Sequence, residues 1–99
     1  MLEKEIENRL VKEIKKMGGT AYKFTSPGND GVPDRIVCLP NGDVIFVELK
    51  TEKGKLSNIQ NRQIKRLENL KQEVTVLYGL VQVLEFIESC RCRLDGEGI

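Results

Sequence analysis

The stretch from Asp34 to Lys50 constrains the fold more than any other. Val44-Ile45-Phe46-Val47 is apolar at every position. An apolar run that ignores the alternation of a half-solvated strand belongs at the centre of a sheet, covered on both faces. Just before it, Pro40-Asn41-Gly42-Asp43 forms a hairpin turn, because Asn and Gly accept positive φ at little cost. Asp34 to Leu39 then reads as the antiparallel partner strand, and Val44 to Lys50 as the central one.

The remaining segments supply the layers around this hairpin. A first helix is expected from Leu2 to Met17, with Glu3, Glu7, Leu10, Val11 and Ile14 on one face and Gly18-Gly19 ending it. Thr20 to Thr25 is a short strand, and the turn formers of Ser26 to Gly31 make a loop. After a polar loop from Thr51 to Leu56, Ser57 opens a second helix with a core stripe of Ile59, Gln63, Ile64, Leu67 and Leu70. Glu73 to Tyr78 is a fourth strand, and Leu80 to Ser89 a third helix. Residues 93–99, with two glycines, are expected to form a flexible tail. The order is α-β-β-β-α-β-α, an α/β sandwich around one mixed sheet. With 99 residues the chain makes one domain spanning 1–99, with a single core and no room for a second.

Composition removes several chemistries. There is no histidine, which excludes imidazole metal sites, Ser-His-Asp triads and histidine bases. No apolar run approaches a membrane span, and Met1 to Glu5 lacks the apolar stretch of a secretory signal. Three cysteines, Cys38, Cys90 and Cys92, form neither a disulfide framework nor a zinc set, so a reducing, cytoplasmic setting is expected. The net charge of +1 hides an asymmetry. Between Lys50 and Lys71 seven basic residues face only Glu52 and Glu68, a local +5 against −4 elsewhere. A basic patch on a neutral protein is either an anion-binding face or a solvated helix surface.

The placement of the acids is unusual. Asp34 stands at the mouth of its strand, and Glu48 and Lys50 at the far end of the next, sharing one face because side chains alternate. Counting equal steps from the turn sets Asp34 beside Glu48 or Lys50. Charges at the end of a buried strand pair are costly unless paired or employed. Either Lys50 neutralises the acids in a salt bridge, or the two carboxylates hold a hard divalent cation, Mg²⁺ or Mn²⁺. In the second case Lys50 would hold the water that attacks a phosphodiester.

Pro33-Asp34, thirteen residues, then Glu48-Leu49-Lys50 is similar to the PD-(D/E)xK nuclease signature. The longer run of Gly31-Val32-Pro33-Asp34-Arg35, Phe46-Val47-Glu48-Leu49-Lys50, Gly54-Lys55-Leu56-Ser57 and Gln60 resembles the VRR-NUC family, the virus-type replication-repair nuclease domain, in its short stand-alone form. The resemblance covers Glu3 to about Ile87 and implies a restriction-endonuclease-like sandwich. It implies Asp34 and Glu48 as metal ligands, the Leu49 carbonyl as a third, and Lys50 as the catalytic lysine. It also implies an acid on the first helix. Glu7 stands eleven residues before Gly18 and on the apolar face, where it would assist a water or second ion. Glu3, one turn earlier, is the second choice. Gln60 matches a family site position, yet Ser57-Asn58-Ile59-Gln60 is equally a capping box.

Lys53, Lys55, Arg62, Lys65 and Arg66 adjoin the catalytic strand, and Lys23 and Arg35 flank the cleft, all placed to meet phosphates. Asp30 stands where relatives often carry a basic residue. The resemblance implies a Mg²⁺- or Mn²⁺-dependent endonuclease, a homodimer acting on branched or double-stranded DNA such as four-way junctions, in a bacterial or phage-infected cell. The rival readings are a non-catalytic nucleic-acid-binding module and an adaptor subunit with the same fold.

Overall fold

The computed structural model describes residues 2–96. Three helices and four strands follow in the expected order: α1 (Glu3–Lys16), β1 (Thr20–Lys23), β2 (Arg35–Cys38), β3 (Val44–Lys50), α2 (Asn58–Asn69), β4 (Glu73–Tyr78) and α3 (Gly79–Gly96). The strands form one mixed sheet in the order β1-β2-β3-β4. β1 with β2 and β2 with β3 are antiparallel, while β3 with β4 is parallel.

Alternation along β3 sorts the layers. Ile45, Val47 and Leu49 are buried and share a face with Val37 of β2 and Leu77 of β4. Onto that face pack Ile6, Leu10 and Ile14 of α1 and Val83, Phe86, Ile87 and Cys90 of α3. Each such side chain contributes about 1.5–3 kcal/mol through burial. The opposite face carries Phe46, Glu48 and Lys50, and only α2 leans on it, beside β4. Phe24 meets Phe46 edge-on there at 5.6 Å.

Four expectations need correction. The α1 stripe is Ile6, Leu10 and Ile14, with Val11 only partly buried, because the helix is rolled so that Ile6 rather than Glu7 meets the sheet. β3 is central but covered fully on one face alone, since Val44 is exposed and Phe46 half-buried. The α2 stripe does not form a core: none of its residues is buried, and Ile59 and Leu70 are 41% and 63% exposed. α2 packs mainly on the β4 edge and touches β3 through Gln60, while Tyr22 on the β1 side of that face is 58% exposed. Finally, α3 continues to Gly96 where a tail was expected from residue 93. Arg93 anchors it by hydrogen bonds to Asp43 in the hairpin turn and Glu73 at the start of β4, and Leu94 packs on the core. The part of the expected tail at 97–99 lies outside the described residues.

Candidate active site

The hairpin builds the site by register. Arg35 pairs with Val47, so one further step sets Asp34 opposite Glu48. Asp34 lies just outside the ladder, which frees its side chain. Its Oδ2 turns back and accepts the Leu49 N–H at 2.9 Å, while its backbone carbonyl accepts from Phe24 N at 2.9 Å. The N–H and C=O of a strand residue leave on the same side, so the Leu49 carbonyl also faces Asp34.

Glu48 is the one buried charged residue among those described, 2% exposed. Its Oε2 accepts from Gln60 Nε2 at 3.2 Å and lies 3.7 Å from Lys50 Nζ. Burial pushes its carboxyl from 4.5 up to about 7; the neighbouring Asp34 charge adds to this and Lys50 opposes it. The charge of Glu3 raises it further. Glu48 Oε1 makes no hydrogen bond among the described residues and keeps only a trace of solvent contact, the residue being almost wholly buried.

Gln60 completes the helix cap and also touches Glu48. Its Oε1 accepts from the Ser57 N–H at 2.9 Å, and its backbone N–H donates to Ser57 Oγ at 3.2 Å, completing the capping box. That leaves Nε2 to donate to Glu48. The cap therefore decides which end of the amide faces the carboxylate. A close approach makes this possible. Gly31, at φ +88°, lies against the backbone of Ile59, and a Cβ there would come within 2.9 Å of it.

At the end of the sheet, Glu3, Lys4, Glu7, Lys23, Asp34 and Leu49 line an open cleft of ≈ 440 Å³. Glu7 Oε2 accepts from Arg35 Nε at 3.0 Å, and Arg35 Nη1 donates to the Ala21 carbonyl at 3.1 Å. Arg35, expected at phosphates, is thus engaged inside the protein. Lys53 and Lys55 are exposed on the loop after β3, and Arg62, Lys65 and Arg66 on the outer side of α2 beside Leu70. The structure thus gathers Asp34, Glu48, Leu49, Lys50 and Gln60, with Glu7 and Lys23 on the cleft wall, and leaves Arg62 apart. Lys4 in the cleft was not anticipated; its place in the first turn of α1, next to Glu3, was the available signal.

The model of the VRR-NUC domain matches residues 2–80. The chain belongs to the VRR-NUC domain family. It is 53% identical over 75 residues, 76% of this chain and 81% of the relative, to "Putative nuclease p44" of Acyrthosiphon pisum secondary endosymbiont phage 1. A solved VRR-NUC domain superposes with a TM-score of 0.81 at 31% identity, over 87% of this chain and 94% of that one. This VRR-NUC chain is a nuclease by family, and the mixed sheet with its three helices is the family fold. Among its described residues no helix is long and apolar enough to cross a membrane.

The donors fit a hard cation. Asp34, Glu48 and Glu7 each give one oxygen to a protein donor and keep the other uncommitted. No three acidic or cysteine side chains among the described residues close into a cage. A shell of two carboxylates, a carbonyl and waters is the arrangement Mg²⁺ favours.

Proposed function

We propose that this chain is a divalent-metal-dependent DNA endonuclease that hydrolyses phosphodiesters on branched DNA, such as four-way junctions, as a homodimer. The observation that carries the reading is Glu48: a buried carboxylate opposite Asp34 and beside Lys50, ionised at a cost and with one oxygen not taken by a protein donor. Asp34 and Glu48 would hold Mg²⁺ or Mn²⁺ with the Leu49 carbonyl, and Glu7 would reach it through water. Such an ion supplies charge stabilisation at the phosphate oxygens and a more acidic water. Lys50 orients the attacking water with the ammonium hydrogens that Glu48 does not take. Gln60 keeps Glu48 turned into the site. Lys23, Lys53 and Lys55 meet flanking phosphates, with Arg62 farther along the duplex.

The homodimer is supported by the uncovered apolar surface: Tyr22 and Val44 on the sheet, Ile59 on α2 and Leu70 at its C-terminal cap. A two-fold partner there would present two sites to a two-fold substrate.

The test is incubation of labelled four-way, flap and linear DNAs with and without Mg²⁺. Cleavage of the four-way junction only with Mg²⁺, abolished in Lys50→Ala while DNA binding persists, is the expected result. Binding without cleavage under any divalent ion would identify a binding module instead, and equal cutting of linear duplex would remove the preference for branches.

A further inference from the structure

The β2 entrance holds two adjacent residues that reach to opposite sides. Asp34 sends its carboxylate across to the Leu49 N–H of β3. Arg35 faces the other layer, opposite Val47 on the buried side of the sheet. Its guanidinium bridges α1 and β1, holding Glu7 through Nε and the Ala21 carbonyl through Nη1. Only 15% of its side chain is exposed. Arg35 does not line the cleft, whereas Glu7 and Asp34 both do.

Two features set this pair apart from a surface ion pair. The guanidinium has a second, backbone anchor, so it cannot follow Glu7 if the carboxylate moves. The Nε contact engages one Glu7 oxygen, and Glu7 also lines the cleft. Planar fork geometry is what allows one arginine to do both, and a lysine cannot reproduce it.

We propose that Arg35 is a positioning residue rather than a phosphate contact: it holds the Glu7 carboxylate at the cleft wall, in register with Asp34, so that Glu7 can contribute to a divalent ion. This rests on the metal-dependent reading above. Residues that orient a metal-linked carboxylate typically change affinity by 10–100-fold when removed.

The test measures Mn²⁺ affinity by titration calorimetry on the full chain, beside the salt dependence of DNA binding. Arg35→Ala is expected to weaken Mn²⁺ binding by about ten-fold and to leave the slope of DNA affinity against salt unchanged. In a Glu7→Ala background the same substitution should change nothing further, because its effect runs through Glu7. Arg35→Lys, which keeps the charge and cannot hold both anchors, should weaken Mn²⁺ in the same direction, and serves if Arg35→Ala fails to fold. Unchanged or tighter Mn²⁺ binding in Arg35→Ala or Arg35→Lys would overturn the proposal. So would a salt slope lowered by about one, the mark of a lost phosphate contact. Absence of Mn²⁺ binding by the unsubstituted protein would instead strike the metal reading itself.

Discussion

Replacing Glu48 by glutamine should make the metal-free protein more stable at pH 8. The carboxyl titrates near 7 in the fold against 4.5 ordinarily. Each pH unit of that difference is worth about 1.4 kcal/mol, so ionised Glu48 costs the fold about 3 kcal/mol. The sign follows from the raised value. The native state holds the proton more tightly than the unfolded chain, so the contribution of Glu48 is fully present below 4.5. It is lost as pH rises through 7, and stays constant above. Glu48→Gln has no such loss. Its gain should be under about 1 kcal/mol at pH 5 and reach about 3 kcal/mol at pH 8. For a domain of this size that is on the order of 10–20 °C in melting temperature. Urea denaturation in EDTA between pH 5 and 8 measures it. Mg²⁺ should then restore stability to the unsubstituted protein and not to Glu48→Gln, since only a bound ion acts by mass action. A variant no more stable at pH 8, or a gap that does not widen with pH, would refute the claim that this charge is held against the fold's own preference.

Three further outcomes are expected. Gln60→Ala should cost about 1 kcal/mol from the lost hydrogen bond that its Oε1 accepts from the Ser57 N–H, with more from the hydrogen bond to Glu48; a loss below about 0.3 kcal/mol in urea denaturation would show that its amide is engaged at neither end. Lys71 sits at φ 65° just past α2, the position where glycine is preferred, so Lys71→Gly should stabilise by about 0.5–1 kcal/mol, read as a higher urea midpoint. Charge reversal at Lys53 and Lys55 should weaken DNA binding and lower its salt slope by about two; an unchanged slope removes that loop from the interface.

What could be read from the chain alone was governed by range. The hairpin turn and the strand pattern are local, and together they fix the register that brings Asp34 opposite Glu48. The Ser57–Gln60 cap was legible for the same reason. Arg35 and Glu7 are 28 residues apart, with no local pattern to pair them, and Arg93 lies 50 residues from Asp43. The roll of α1 is not legible locally, because Glu3 and Glu7 fit the same helical face as Leu10, and only the sheet's position selects Ile6. The α2 stripe was amphipathic as read, but periodicity says which residues share a face and not whether a sheet lies beneath it.

The most direct test of the account is the anomalous scattering of Mn²⁺ in crystals of this chain. A peak at roughly 2.0–2.4 Å from the uncommitted oxygens of Asp34 and Glu48 is expected, a distance typical of hard divalent ions. Density for manganese elsewhere, or none between those carboxylates in a preparation that cuts DNA, would contradict it.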